Sequence, residues 1–145
     1  MILLDSNLLL RLADSASPQR LIARRAISIL ERRGEQLIIV PQNAFEFWAV
    51  ATRPAGKLNG LGMPTDRVEL WLNHLQRRFM MRHDTEALVP TWRRLVAGHR
   101  TIGFRAHDAR LVAAMQVHGI DRILTFNVQD FRDYPIAILE PTTIQ

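Results

Sequence analysis

Acidic and amide side chains follow short apolar runs at three places in this sequence. Asp5 comes directly after the apolar run that opens the chain, and Asn127 directly follows a strand predicted over 123–126. Asp130 lies three residues beyond, and Glu46 lies about one turn after another predicted strand. In an open parallel sheet, ligands bind outside the carboxyl ends of the strands. We therefore expect these side chains to meet at one edge.

A further acid, Asp108, lies at the start of a helix predicted over about 107–118. Leu111, Val112 and Met115 follow it at intervals of three, four and seven residues, which places all four on one helical face. The Asp108 carboxylate is therefore predicted to lie at the head of a core-facing stripe, close to the same edge of the sheet.

Each acid also has a simpler explanation. Asp5 could merely end a strand, Asp130 could form a turn, and Asp108 could favour the positive end of a helix. Asn43 and Glu46 have the spacing of a capping box, in which the glutamate only bonds the start of its helix. The case for function is the convergence of the acids on one edge.

Clustered carboxylates repel one another, and a divalent cation removes that repulsion. The chain has no cysteine, so hard oxygen ligands and Mg²⁺ or Mn²⁺ are expected. Such a cation activates water and stabilises charge on a phosphoryl group. Phosphodiester hydrolysis is the predicted chemistry.

The predicted elements alternate between strand and helix. Strands are predicted over 2–4, 37–40, 123–126 and 136–139, and helices over about 18–33, 43–52, 65–78, from 84 or 85, and 107–118. We expect a kink or a restart at Pro90 and a flexible loop over 54–64. The alternation predicts an α/β sandwich with a largely parallel sheet, within a single domain of 145 residues.

Composition limits the partners and the location. There is no apolar run of about 18 residues, so no membrane span is expected. Met1 to Asp5 lacks the basic start of a signal peptide, and the lack of cysteine suits a reducing cytoplasm. The net charge is +5, and Lys57 is the only lysine among 19 basic residues. Arginine binds phosphate well, so a polyanionic partner is predicted, although a compositional bias towards arginine would give the same count.

Other enzyme classes fit poorly. The histidines lack zinc-type spacing, and neither a glycine-rich phosphate loop nor a Ser-His-Asp order is present. A metal-dependent phosphohydrolase would also place an acid after the first strand. However, Asn7 stands where a dehalogenase-like enzyme needs a second aspartate, and Lys57 lies in the glycine loop rather than near the last strand, where a phospho-receiver needs its lysine.

The ordered set of motifs resembles the PIN domains of VapC-type toxins. Residues 107–115, 119–120 and 123–131 resemble their C-terminal half, 2–7 their first motif, and 41–52 their second. The resemblance spans nearly the whole chain. It implies a PIN-like three-layer α/β/α sandwich over 1–145 and Mg²⁺- or Mn²⁺-dependent endoribonuclease activity on tRNA or ribosomal RNA. It also implies a cognate antitoxin and usually a homodimer.

Residue by residue, Asp5, Glu46 and Asp108 match the first three acids of these toxins. The fourth position holds Asn127, which has a carbonyl oxygen but no charge. Asp130 is expected to supply that charge. The resemblance thus implies that Asp5 and Asp108 hold the metal, with Asp130, and that Glu46 is a ligand or a base that orients water. The neutral Asn127 also keeps open a catalytically weak or inactive binding module.

Accessory roles follow from the same resemblance. Ser6 and Thr125 match polar positions beside the acids, and arginines such as Arg53, Arg100 or Arg105 are expected to hold the RNA backbone. The helix that carries Glu46 is apolar nearly all round. It is therefore either wholly buried or an interface with a second copy or the antitoxin.

We expect Phe47 and Trp48 to lie at that interface.

Overall fold

The computed structural model describes residues 1–145 and contains one five-stranded sheet in which every neighbouring pair is parallel. The strands are β1 Ile2–Leu4, β2 Leu37–Ile39, β3 Met80–Met81, β4 Arg122–Leu124 and β5 Ala137–Leu139. The helices are α1 Ser6–Ala13, α2 Arg20–Arg32, α3 Pro41–Ala51, α4 Thr65–Arg78, α5 Leu88–Gly98 and α6 Arg105–His118. Short 3-10 turns cover Val128–Phe131 and Pro141–Thr143.

Helices cover both faces of the sheet because the strand side chains alternate between them. Ile2 and Leu4 pack on one face with apolar side chains of α1, α2, α3 and α4. Leu3 packs on the other face with side chains of α5 and α6. All three strand residues are fully buried. The predicted three-layer α/β/α sandwich with a parallel sheet is therefore confirmed.

The strand order β3-β2-β1-β4-β5 creates a crevice beside β1. The chain moves outward from β1 to β2 and β3 on one side, and then crosses to β4 on the other side. Ligands in open α/β sheets bind at the carboxyl ends of the strands where the order reverses. In this protein that place lies between the ends of β1 and β4, where the Asp5 N–H donates to the Leu124 carbonyl at 3.1 Å.

Two elements were not predicted. α1 begins immediately after Asp5, and its leucines Leu8, Leu9 and Leu12 are buried. α1 could not be predicted because the apolar run 8–10 is too short to distinguish a helix from a strand. β3 has only two residues, and its position depends on pairing with β2.

Four predicted helix starts differ from the observed ones. α3 begins at Pro41 rather than at Asn43, and α6 begins at Arg105 rather than at about 107. α2 begins at Arg20 rather than at Pro18, and the Ser17 hydroxyl accepts a hydrogen bond from the Gln19 N–H at 3.2 Å. α5 begins at Leu88, so Pro90 lies in its first turn, where the missing N–H has no helical partner. Neither the kink nor the restart predicted at Pro90 is present, because α5 runs as one helix from Leu88 to Gly98. None of the six helices has the length and apolar character needed to cross a bilayer.

Candidate active site

A cavity of about 650 Å³, which we call the carboxylate cavity, opens at the crevice beside β1. It receives side chains from the ends of β1 and β4 and from α1, α3 and α6. The lining residues are Asp5, Ser6, Asn7, Leu10, Gln42, Phe45, Glu46, Ala49, Val50, Arg53, His107, Asp108, Arg110, Asn127 and Asp130. The structure thus brings together all five residues predicted as catalytic.

Asp5 is held by neutral hydrogen-bond donors from two neighbouring segments. Its Oδ2 accepts one hydrogen bond from the Thr125 hydroxyl at 2.6 Å and another from Asn7 Nδ2 at 2.6 Å. Asn7 Oδ1 in turn accepts from the Phe126 N–H at 3.3 Å. Side chains at the end of β1, in α1 and after β4 are therefore locked together at this corner.

Burial sets the protonation of Asp5. Desolvation raises the pKa of Asp5 from its ordinary 3.8 to about 6. The hydrogen bond from Thr125 lowers that pKa in part, whereas the nearby charge of Glu46 raises it further. Asp5 is therefore a carboxylate that loses its proton just below neutral pH.

Asp108 lies across the cavity in the first turn of α6 and is half-buried. Desolvation and then the negative charges of Asp130, Asp5 and Glu46 raise the pKa of Asp108 to about 7. Arg105 offsets part of this effect. No hydrogen bond to the Asp108 carboxylate contributes to the shift, in contrast to Asp5.

Glu46 is oriented by Gln42, one turn earlier on α3. Gln42 Nε2 donates to Glu46 Oε1 at 2.7 Å and to the His107 carbonyl at 2.8 Å. Gln42 Oε1 accepts from Arg110 Nη1 at 2.9 Å, and Arg110 Nη2 pairs with Asp84 Oδ2 at 2.5 Å. Neither Gln42 nor Arg110 was predicted, although Gln42 lies at i−4 from Glu46, a spacing at which helical side chains meet.

Asn43 caps the start of α3 in a way that excludes the capping-box explanation for Glu46. Asn43 is the third residue of α3, and its Oδ1 accepts from the Val40 N–H at 2.8 Å. Its Nδ2 donates to the Leu4 carbonyl at 3.0 Å and to Ser6 Oγ at 3.1 Å. The residue that bonds the helix start is therefore Asn43, and Glu46 is left to face the cavity.

Asn127 does not follow its strand directly, because β4 ends at Leu124. Its backbone N–H donates to Thr125 Oγ1 at 2.9 Å, and its carbonyl accepts from the Asp130 N–H at 3.1 Å. These bonds start the 3-10 turn Val128–Phe131, which brings Asp130 back to the cavity. Asp130 therefore lies in a turn, as the simpler explanation expected, and it also lines the cavity.

Sequence comparison finds no matching family model and no matching curated protein. Solved structures match over nearly the whole chain. A chain of VapBC2 from Rickettsia felis, bound to a fragment of promoter DNA, matches with a TM-score of 0.71 at 12% identity, covering 97% of this chain and 98% of that one.

Two further structures match closely in shape. A toxin–antitoxin complex from Klebsiella pneumoniae gives a TM-score of 0.68 at 20% identity, covering 97% of this chain and 98% of that one. FitAcB from Neisseria gonorrhoeae gives a TM-score of 0.63 at 18% identity, and the match covers 99% of both chains. At sequence identities of 12–20%, these matches show that the fold is shared. This protein has a PIN-like fold. The resemblance to VapC-type PIN domains predicted from the sequence is confirmed at that level.

The donor chemistry of this PIN-like fold suits a hard divalent cation. Asp5, Glu46, Asp108 and Asp130 all line the carboxylate cavity, and desolvation and then repulsion by the other three acids raise the pKa of Asp108. No three acidic or histidine side chains are gathered closely enough to form a complete ligand group. Mg²⁺ commonly uses only one or two carboxylates together with water and substrate phosphate. The residues present therefore fit Mg²⁺ or Mn²⁺ better than a cation that needs a full protein cage.

The predicted arginines are divided between two places in the PIN-like fold. Arg53 lines the carboxylate cavity. Arg100 and Arg105 line a second, smaller cavity that shares Asp130 with the first. The role of these arginines in holding an RNA backbone stays a prediction.

One apolar face of α3 is buried and the other is partly exposed. Phe47 is fully buried in the core, so the prediction that it lies at an interface is wrong. Phe45 and Trp48 are 67% and 38% exposed, and Phe45 lines the carboxylate cavity. The wholly buried alternative is therefore also wrong.

Proposed function

We propose that this protein is a divalent-metal-dependent endoribonuclease that hydrolyses RNA phosphodiester bonds. The observation that carries the proposal is the carboxylate cavity itself. Four acids line it at the point where the strand order reverses, and their repulsion contributes to a pKa of about 7 for Asp108. Ionised carboxylates clustered in this way repel one another when no cation is bound, and a bound divalent cation offsets that repulsion.

The acids divide into holding and orienting roles. Asp5 and Asp108 would hold Mg²⁺ or Mn²⁺, and Asp130 would add its charge through a bound water, because no three acids are gathered closely enough to bind the ion together. The cation supplies an acidified water and a counter-charge for the phosphate. Glu46 is a further ligand or the base that orients the attacking water, since Gln42 holds its carboxylate in place.

The proposed substrate class rests on charge. The chain carries a net charge of +5, and Arg53 lies in the carboxylate cavity beside the acids. A guanidinium group at this position would hold a phosphate while the acids and cation act on the neighbouring bond. RNA of the tRNA or ribosomal RNA class is the expected substrate, as the resemblance implies.

We also propose that the protein is the toxin of a cytoplasmic toxin–antitoxin pair. Structures with the same fold include a toxin–antitoxin complex. Phe45 and Trp48 are exposed neighbours on α3, and Phe45 lines the carboxylate cavity together with Glu46. Contiguous exposed apolar surface marks interaction sites. A cognate antitoxin or a second copy of the chain is expected to cover it.

Substitution on α3 tests the partner surface. Trp48→Glu and Phe45→Glu should weaken self-association or antitoxin binding, because each places a charge on the surface that a partner would bury. Light scattering and pull-down on folded variants measure this, with Leu21→Glu as a control at an exposed apolar residue of α2. If assembly of the α3 variants matches that of the control, this surface has no partner.

The nuclease activity is tested by RNA cleavage with and without Mg²⁺. Cleavage is expected with Mg²⁺ or Mn²⁺ and should stop with EDTA. The competing candidate is a PIN-like module that binds RNA or protein without cutting, which the neutral Asn127 favours. RNA binding without cleavage in either metal would support that module and reject the enzyme.

A further inference from the structure

A second cavity, which we call the loop cavity, adjoins the carboxylate cavity. It measures about 190 Å³ and lies between the α5–α6 loop and the segment around Asp130. Its lining includes His99, Arg100, Arg105 and Tyr134. Asp130 lines both cavities, so a ligand bound in the loop cavity lies next to the site of proposed chemistry.

The two arginines of the loop cavity take part in no ion pair, although the charge of Arg105 acts on Asp108 at longer range. The ion pairs of the protein join Arg78 to Glu31, Arg110 to Asp84, and Arg122 to Glu35 and Asp121. Arg100 and Arg105 are exposed and take part in none of them. Asp133 also lines the cavity, but neither it nor Asp130 pairs with these guanidinium groups. Both groups are therefore available to an anion.

Arg100 stands at a backbone position that disfavours it. α5 ends in a Schellman motif, in which the Thr101 N–H donates to the Val96 carbonyl at 2.9 Å and the Arg100 N–H to the Ala97 carbonyl at 3.3 Å. Arg100 occupies the left-handed position of this motif, with φ of 49°. Glycine adopts that conformation without steric cost, whereas arginine does not. Helix termination therefore gives no reason for an arginine here.

The surroundings of Arg100 suit a nucleotide rather than a free anion alone. The rings of His99 and Tyr134 lie 4.7 Å apart at an angle of 47° in the wall of the cavity. Ile102 and Phe104, on the same loop, are 83% and 78% exposed. Cationic groups interleaved with ring and apolar surfaces are typical of single-stranded nucleic acid sites, where bases stack and arginines follow the backbone.

We propose that the loop cavity is a substrate subsite that binds the backbone phosphate adjacent to the scissile one on single-stranded RNA. Arg100 and Arg105 are its phosphate ligands. This inference rests on the proposed endoribonuclease function. Because Asp130 lines both cavities, an RNA strand that crosses the carboxylate cavity would continue into the subsite, which would set the path of the RNA across the site.

The test uses Arg100→Gly, because this change should separate RNA binding from folding. Affinity for a fluorescein-labelled single-stranded RNA oligonucleotide in EDTA should fall about fivefold. The slope of log affinity against log salt should decrease by about 0.7, the value for one lost contact to a single strand. The melting temperature should stay unchanged or rise by about 2–4 °C, because glycine relieves the left-handed backbone.

Three variants serve as controls. Arg100→Lys keeps the charge and should retain most of the affinity. Arg24→Gln removes an exposed charge from α2, far along the chain from the loop, and should change affinity less than Arg100→Gly. Asn59→Gly relieves another left-handed residue, with φ of 62°, without removing a charge. It should leave RNA affinity unchanged.

The outcomes distinguish the subsite from the function on which it rests. If the wild type binds and cleaves RNA but Arg100→Gly binds equally well, the subsite is overturned and the endoribonuclease proposal stands. The loop surface would then be left to a protein partner. An equal loss of affinity in Arg24→Gln would also overturn the subsite. If the wild type neither binds nor cleaves RNA, both proposals fail.

Discussion

The two sides of the carboxylate cavity hold their acids in opposite ways. Asp5 is 7% exposed, and its carboxylate is held by Thr125 and Asn7, both neutral donors. Asp108 is half-buried, faces three other acids, and has no hydrogen-bond donor that lowers its pKa. The pKa of Asp5 is about 6 and that of Asp108 about 7, although Asp5 is the more buried.

Asp5 is thus held in place before a cation binds, whereas the charged form of Asp108 is electrostatically unfavourable. Donors that hold the charged form of Asp5 compensate for its burial, whereas repulsion adds to the desolvation of Asp108. The Asp5 side is thus rigid before any cation binds. The Asp108 side is expected to gain most from a cation, because an added positive charge offsets the repulsion when the acids are ionised.

The largest effect is expected from Asp5. Asp5→Ala should lower RNA cleavage by about a thousandfold or more, since the preorganised ligand is lost. It also leaves Asn7 and Thr125 without their acceptor, so Asp5→Asn is the better-matched variant because its amide oxygen can still accept. Single-turnover cleavage, with circular dichroism as a check of folding, measures the effect. Retained cleavage in both variants would reject the proposed site.

The next effect concerns Asp108 and pH. An acid whose pKa is raised by folding holds its proton longer in the native state, so without metal the free energy of unfolding should fall as pH rises from about 4 to about 7. Mn²⁺ should reverse this loss at pH 8. Asp108→Asn removes one source of repulsion and should raise the metal-free melting temperature at pH 8 by about 2 °C or more.

Differential scanning calorimetry at pH 5 and pH 8, with and without Mn²⁺, measures both proteins. The Asp108→Asn variant should show a shallower pH dependence and a smaller stabilisation by Mn²⁺ than the wild type. A wild type that becomes more stable between pH 5 and pH 8 without metal would contradict the raised pKa values.

A smaller effect should distinguish Asp130 from Asn127. Asp130 contributes to the raised pKa of Asp108, so its charge reaches the site. Asp130→Asn should weaken Mn²⁺ binding about tenfold, and Asn127→Ala should weaken it less, because a carbonyl ligand brings no charge. Calorimetric titration compares the two. Equal affinity in the wild type and Asp130→Asn would exclude Asp130 as a ligand.

The smallest effect should come from Thr125. Thr125→Val keeps the volume of a fully buried side chain but removes the donor to Asp5. Because that bond lowers the pKa of Asp5, the pKa should rise above about 6. The pH at which Mn²⁺ half-saturates the protein should then increase by less than about one unit. Thr125→Ser keeps the hydroxyl and should titrate as the wild type does.

Much of the fold could be predicted from local pattern. The helix Thr65–Arg78 was predicted at its observed bounds, and Gly119, at φ of 64°, ends α6 as expected. Residues that start or end a helix act through their near neighbours in the chain, so their effect does not depend on the tertiary structure. α1 and β3 were missed because a short leucine run and a two-residue strand acquire their structure from packing and pairing with distant segments.

Some residues of the candidate site could likewise be predicted from the sequence, and others could not. Sequence order placed Asp5, Glu46 and Asp108 at the ends or starts of elements, and the parallel sheet brought them to one edge. The roles of Asn7, Gln42 and Arg110 could not be predicted, because their partners lie far along the chain. Asn7 meets Thr125 across 118 positions, and Arg110 meets Gln42 across 68.

The sequence by itself determined which residues carry charge, which runs are apolar enough to be buried, and therefore the parallel α/β architecture with acids at the strand ends. Only the tertiary structure decided how those acids differ. Burial and hydrogen-bond donors depend on segments that meet through folding, and they made Asp5 rigid and left Asp108 opposed by its neighbours. The same contacts buried Phe47, exposed Trp48, and separated Arg100 from Arg53.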